Sequence, residues 1–167
     1  MMVDMSDYHN KRAKEILGKI IYATIATASK AGKPHNSPVR YVFDEDMNIY
    51  WFSTKVSVHS QNVRENEDVF IVVYDSTVPE GDGEGVYFEA KAYEITDPEE
   101  INYARRIKRG ADFSGDADDF LGDAVRRCYK AVPARTWMNE AEIDNGKFIK
   151  DFRVEIPLEL LKGLRSS

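Results

Sequence analysis

The chain has 167 residues, of which 43% are apolar and 31% charged, and it carries a formal charge of −6. This size and mixture are typical of one globular domain over residues 1–167 with a core of its own, and the acidic charge disfavours a general nucleic-acid-binding protein. The single cysteine, Cys128, excludes an internal disulfide and a multi-thiolate metal site and favours a cytoplasmic setting, while no stretch approaches the roughly eighteen apolar residues of a membrane span.

The first part of the chain is predicted to be mostly β-strand. A helix is expected first, over residues 6–18, because apolar residues recur there at helical spacing. Runs rich in β-branched and aromatic residues then predict strands, at residues 20–28, 39–43, 47–53, 69–74 and 86–95. The short connections indicate antiparallel hairpins. One short helix interrupts them, which Ser57 could cap and which has only Val58 and Val63 as apolar anchors.

The last part of the chain is predicted to contain two helices and two strands. Asp97 followed by Pro98 is typical of a helix start, and this helix should end before Gly110. A second helix is predicted from about Asp116, with an apolar stripe that reaches Cys128. The last strands are expected at residues 134–139 and 148–156. About seven strands without alternating helices predict a mainly β fold, a sandwich or barrel.

The strongest functional pattern lies in residues 51–62. An aromatic strand leads into small hydroxyl residues, then Lys55 and His59, and then a helix start. Hydroxyls, cations and the N–H groups of a helix N-terminus are the partners that phosphate prefers, and an aromatic ring system needs an apolar wall beside them. The segment therefore predicts a site for a ligand that carries both groups.

Several of these residues have a second interpretation. Trp51 could form a wall for the ligand ring or pack in the core, as large aromatic residues usually do. His59 could contact phosphate or be an ordinary polar residue of a short helix. Arg40 lies among apolar residues and requires a partner, which could be a ligand or the carboxylate of Asp44 or Asp75.

Other polar groups are interpreted as structural. The basic residues Arg105, Arg106, Lys108 and Arg109 are expected to form a solvated helix face. His9 and His35 are interpreted as surface residues, and Cys128 as a buried thiol rather than a nucleophile. The histidines show no ligand spacing, so no metal site is predicted.

In the order and spacing of its segments, the stretch over residues 20–95 resembles the pyridoxamine 5′-phosphate oxidase-like split-barrel flavoproteins. The resemblance is carried by residues 22–27, 37–44, 49–53 and 59–76, with residues 86–92 as the next strand. It implies a six- to seven-stranded antiparallel split β-barrel with flanking helices. It also implies a homodimer, with flavin mononucleotide (FMN) in a groove at the dimer interface.

The resemblance implies cofactor contacts from three segments. The strand over residues 36–41 would run along the flavin, the next strand would lie beside it, and the following loop and helix start would hold the phosphate. The implied residues are Asn36, Ser37, Pro38, Val39, Arg40, Tyr41, Trp51, Phe52, Ser53, Thr54, Lys55, Ser57, Val58, His59 and Asn62.

The chain departs from the true oxidases at four of these positions. Those enzymes carry cations where this chain has Asn36, Tyr41, Val58 and His59, and Trp137 and Arg153 match their C-terminal tryptophan–arginine signature only loosely. The chain is therefore expected to be a relative that uses FMN in redox chemistry on a small molecule other than the vitamin. The alternatives are a non-catalytic module on the same barrel that binds flavin, deazaflavin or haem, and a purely structural dimer.

Overall fold

Three α-helices and seven strands form the fold, which a computed structural model describes over residues 5–166, with side chains from residue 7 onward. The helices are α1 (Met5–Lys19), α2 (Val58–Glu65) and α3 (Pro98–Arg109). The strands are β1 (Tyr22–Ala28), β2 (Pro34–Phe43), β3 (Ile49–Thr54), β4 (Asp68–Tyr74), β5 (Gly85–Ile95), β6 (Arg126–Asp144) and β7 (Lys147–Ile156). Two 3₁₀ turns, Ala117–Phe120 and Leu158–Leu160, complete the described elements.

The strands form one antiparallel sheet in the order β3-β2-β1-β4-β5-β6-β7. An additional pairing between β3 and β6 closes the first six of these into a ring, and β7 continues the sheet outside it. The long strand β6 pairs with β3 through its first part, with β5 through its middle and with β7 through its last part. The predicted mainly β fold, an antiparallel barrel whose sheet closes into a ring except for one outer strand, is therefore confirmed.

Alternating side chains fill the interior of the ring. On β5, the predicted buried face is confirmed, because Val86, Phe88, Ala90 and Ala92 are all buried. On β3, Trp51 points inward and its ring stacks on that of Tyr129 with 5.4 Å between centroids. The apolar stripe of α1 packs into the same cluster, so the first helix is part of the barrel core.

A second apolar cluster lies on the outer face of β2, β3 and β6, beneath α3. Its buried members are Val42, Tyr50, Ile95, Ile101, Ala104, Ala117, Phe120 and Cys128. The start of α3 forms as predicted, since the Asp97 carboxylate accepts a hydrogen bond from the backbone N–H of Glu99 at 3.0 Å. None of the helices in the described part of the chain has the length and apolar character needed to cross a membrane.

The helix predicted from about Asp116 to Cys128 is wrong. Only the 3₁₀ turn Ala117–Phe120 forms there, and β6 begins at Arg126. Gly122 adopts a φ of 54°, which interrupts a regular helix, and strands on both sides of β6 satisfy its backbone groups. Cys128 is buried as predicted but lies on this strand, where burial raises the pKa of its thiol to about 12 and makes it a poor nucleophile.

The turn between β2 and β3 is held by one buried carboxylate. Asp44 accepts hydrogen bonds from the backbone N–H groups of Asp46 and Asn48 at 3.0 and 2.9 Å. It also accepts from the Asn48 amide at 2.9 Å and from the Tyr50 hydroxyl at 3.0 Å. Burial and this carboxylate raise the pKa of Tyr50 well above its usual value. Asp44 therefore ties the hairpin to the outer core.

Replacing Asp44 with alanine should lower the free energy of unfolding by about 3 kcal/mol, because it leaves the buried Tyr50 hydroxyl and the turn N–H groups unpaired. Urea unfolding followed by circular dichroism measures the change. The matched control is Asp46→Ala, since Asp46 is exposed in the same turn. Equal destabilisation by the two variants would show that the carboxylate of Asp44 has no special part in the hairpin.

Candidate functional site

Four polar side chains from three elements meet where β2 and β3 approach the start of α2. The Nε2 atom of His59 lies 2.8 Å from Ser53 Oγ and 3.1 Å from Ser57 Oγ, and its Nδ1 atom lies 3.1 Å from Ser37 Oγ. We call Ser37, Ser53, Ser57 and His59 the serine–histidine cluster. The structure thus brings together four of the residues that the sequence assigned to cofactor binding.

Strand alternation explains how the two strand serines reach this point. Ser37 follows the inward side of β2 that Val39 and Tyr41 share, and Ser53 follows the inward side of β3 that Trp51 shares. Both serines lie where the apolar interior ends. The cluster therefore closes one end of the barrel with hydroxyl groups instead of methyl groups.

The helix α2 is held mainly by polar contacts. His59, Ser60, Asn62 and Val63 are its buried residues, whereas Val58, the other expected apolar anchor, is 50% exposed. The Nδ2 group of Asn62 donates to Thr27 Oγ1 at 3.0 Å and links the helix to β1. Asn62, another predicted site residue, therefore fixes the helix that carries His59 against β1.

Ser57 occupies the N-cap position of α2 but makes no capping bond to the backbone. Its hydroxyl donates instead to Ser60 Oγ at 2.8 Å or to the carbonyl of Thr54 at 3.1 Å. The N–H groups of the first turn are thereby left without a side-chain partner. An uncapped helix N-terminus beside several hydroxyls is suited to an anion.

Burial controls the charge of His59. The residue is 8% exposed, and desolvation, followed by the proximity of His35, lowers the pKa of its imidazole below 6.5. The expectation that His9 is a surface residue is wrong, whereas His35 is half-buried and lies beside the cluster. The Nε2 atom of His35 is 2.9 Å from Ser37 Oγ, and His9 is buried with Nε2 at 2.8 Å from a Glu140 carboxylate oxygen.

The remaining predicted residues, apart from Arg40 and Phe52, lie in three other environments. Val39, Tyr41 and Trp51 are buried in the barrel interior, and burial raises the pKa of the Tyr41 hydroxyl. Asn36, Pro38, Thr54 and Val58 are exposed. Lys55 is half-buried, with Nζ 3.4 Å from the carbonyl of Asp123.

Arg40 and Phe52 lie on the outer face of β2 and β3, away from the serine–histidine cluster. Phe52 packs against the outer apolar cluster. The Nη1 atom of Arg40 is buried and has no hydrogen-bond partner. The two carboxylates considered for it are engaged elsewhere, Asp44 within its own turn and Asp75 with Lys19 and Thr77. The buried guanidinium nitrogen thus remains unpaired.

Comparison with known proteins identifies the family. The family model for pyridoxamine 5′-phosphate oxidase matches residues 10–138, and the chain therefore belongs to this family. The resemblance expected from the sequence is confirmed. No protein with a curated description matches the chain.

Solved structures share the fold at low sequence identity. HutZ, the heme storage protein from Vibrio cholerae, superposes with a TM-score of 0.61 at 18% identity over 74% of this chain and 88% of its own. A candidate pyridoxamine 5′-phosphate oxidase from Listeria innocua gives 0.58 at 16% identity over 76% and 94%. A heme binding protein from Mycobacterium smegmatis gives 0.64 at 14% identity over 90% and 59%. At these identities the similarity establishes the fold and leaves the ligand open.

The lowered pKa of His59 predicts a pH-dependent stability. As the pH falls, the unfolded chain takes up a proton at His59 near pH 6.5, before the folded protein does. The contribution of neutral His59 to the free energy of unfolding is therefore complete above pH 6.5 and is lost as the pH falls below it. We expect the wild type to lose more unfolding free energy than His59→Gln between about pH 7.5 and about pH 5.5. Urea unfolding at both values measures this, and parallel losses in the two proteins would contradict it.

Proposed function

We propose that the protein is an FMN-binding oxidoreductase that acts on a small molecule, with the flavin phosphate held at the serine–histidine cluster. The observation that carries the proposal is the uncapped N-terminus of α2 beside three hydroxyls and the imidazole of His59. These groups can all donate hydrogen bonds to phosphate oxygens once their mutual contacts are exchanged. The family of the chain supports the same cofactor class.

The charge at this site differs from that of a strongly cationic phosphate site. Val58 is apolar, and Lys55, the cation nearest in sequence, makes only a long contact with a backbone carbonyl. A phosphate dianion beside His59 would favour the imidazolium form and oppose the effect of burial on its pKa. Phosphate binding should therefore be accompanied by proton uptake at His59, which supplies the missing positive charge.

Bound FMN would supply hydride or electron transfer. The residues of this chain would hold the phosphate at one end of the site. The first part of β2, which pairs with β1 but not with β3, would offer backbone groups around Asn36 and Pro38 to the rest of the cofactor. The buried Cys128 takes no part, because its thiol stays protonated. The small-molecule substrate would meet the flavin rather than a nucleophilic side chain.

Haem is the second candidate, because two proteins of similar fold are named for haem storage or binding. The described side chains favour phosphate over iron. His59 has both ring nitrogens within hydrogen-bond distance of serine hydroxyls. His35 contacts Ser37, and His9 contacts Glu140. A histidine would have to leave these contacts to ligate haem iron.

We also propose that two copies of the chain assemble through the outer face of β4 to β7. A ring cluster lies there, formed by Phe70, Tyr87 and Trp137. The ring centroid of Phe70 is 6.3 Å from that of Tyr87 and 6.1 Å from that of Trp137. Arg153 lies 4.3 Å from the Tyr87 centroid and Arg135 4.7 Å from that of Trp137. Aromatic and arginine residues on an open sheet face are typical of protein interfaces.

The cofactor proposal predicts that the protein takes up added FMN, acquires the visible absorption of flavin and quenches flavin fluorescence. Riboflavin should bind more weakly because it lacks the phosphate. Ser57→Ala and His59→Ala should each weaken FMN binding by about tenfold or more, and leave riboflavin binding almost unchanged. Fluorescence titration of the wild type and of both variants with each flavin measures the six affinities.

The matched control is Ser76→Ala, because Ser76 is an exposed serine outside the cluster. It should retain wild-type affinity for both flavins. A protein that takes up haem and not FMN would refute the proposal in favour of the second candidate. Equal losses for riboflavin and FMN would place the phosphate elsewhere.

The assembly proposal predicts a particle of twice the 19.1 kDa chain mass in light scattering coupled to size exclusion. Phe70→Asp should shift this particle to the monomer, because it places a carboxylate among the rings of the proposed interface. Tyr22→Asp is the control, since Tyr22 is 57% exposed and lies on β1, outside the strands of the proposed interface. A wild-type monomer at high concentration would exclude the assembly.

A further inference from the structure

A cationic groove lies on the outer side of the barrel, on the face of β3 opposite the serine–histidine cluster. It has a volume of about 550 Å³ and lies between α3, the turn Ala117–Phe120 and the start of β6. Four cations line it, Arg105, Lys108, Arg109 and Arg126, with Asp119 as the one acid among the lining residues. The expectation that the α3 cations form a solvated face is therefore incomplete, because Arg105 and Lys108 are half-buried.

Most of these cations lack a carboxylate partner. Arg105 donates to the backbone carbonyl of Asp116 and approaches the Asp119 carboxylate only to 3.4 Å. Within the described residues, Lys108, Arg109 and Arg126 form no ion pair. Because the whole chain carries a formal charge of −6, acids are abundant elsewhere. The local excess of positive charge is thus a specific feature of this groove.

Aromatic rings orient three of the four cations without neutralising them. Lys108 Nζ lies 4.9 Å from the ring centroid of Phe52. The guanidinium carbon of Arg105 lies 4.7 Å from Phe113 and 5.1 Å from Phe120, and that of Arg126 lies 5.4 Å from Phe120. Such contacts orient a cation and leave its net charge available to a further partner.

The cations of the groove repel one another. Burial, followed by the charges of Arg126, Arg40 and Arg109, lowers the pKa of Lys108. An anion bound between these cations would relieve their mutual repulsion.

We propose that this groove binds a small organic anion with at least two negative charges on phosphate or carboxylate groups. Its volume is in the range of small-molecule sites and exceeds the need of a single inorganic ion. The ring faces are already covered by cations, so charge rather than ring stacking selects the ligand. None of the four residues of the serine–histidine cluster lines the groove, so the proposal does not depend on FMN binding.

Isothermal titration of the purified protein with pyrophosphate, with citrate and with inorganic phosphate, at matched ionic strength, tests this inference. We expect saturable binding of pyrophosphate or citrate at one site, tighter than binding of inorganic phosphate, and the two ligands distinguish phosphate from carboxylate recognition. Lys108→Met combined with Arg126→Gln should weaken binding by at least about tenfold. The same variant should keep or raise the melting temperature, because it relieves repulsion among the cations.

Two controls separate this groove from other anion sites. Arg135→Gln removes an exposed arginine that pairs with Glu155 and should leave binding unchanged. Ser57→Ala combined with His59→Ala disables the proposed flavin phosphate site and should also leave it unchanged. The inference is overturned if none of the anions binds saturably, or if Arg135→Gln weakens binding equally.

Discussion

The pairing of β3 with β6 is the interaction on which the rest of the structure depends. It closes the ring, with Trp51 opposite Tyr129 and Phe52 opposite Cys128, and so gives every residue of β3 a fixed face. Trp51 and Ser53 belong to the interior and Phe52 to the outside. A register change of one residue would exchange the two faces. The β3–β6 hydrogen bonds therefore pair the backbone groups and also keep the serine–histidine cluster and the cationic groove on opposite faces of β3.

Local patterns in the sequence were sufficient for the strands whose residues alternate or run apolar without interruption. β4 and β5 appear where predicted, and Asp97 with Pro98 predicts the start of α3. The segment from Asp116 to Cys128 could not be predicted in the same way. Its apolar spacing is helical, but Cys128 and Tyr129 have strand partners on both sides, Phe52 and Trp51 on β3 and Ile95 and Glu94 on β5. Tertiary pairing therefore overrides the local preference.

The candidate site could be predicted only in part, because residue type does not reveal which face of a strand a residue occupies. Ser37, Ser53, Ser57 and His59 converge as a phosphate site requires, yet Trp51 is committed to the interior and Arg40 to the opposite face. His35 was missed although it shares the inward alternation of Ser37 and Val39, which was the available signal. The four cations of the groove come from α3 and β6, so only the fold brings them together.

The two candidate sites respond to anions through different physics. At the serine–histidine cluster the described side chains are neutral at pH 7, since burial lowers the pKa of His59, and an anion must gain its counter-charge by protonation. In the cationic groove the charge is already present, and burial, followed by the charges of Arg126, Arg40 and Arg109, lowers the pKa of Lys108. Binding at the first site should therefore strengthen as pH falls toward the histidine range. Binding at the second should depend chiefly on ionic strength, because added salt screens the repulsion and the attraction alike.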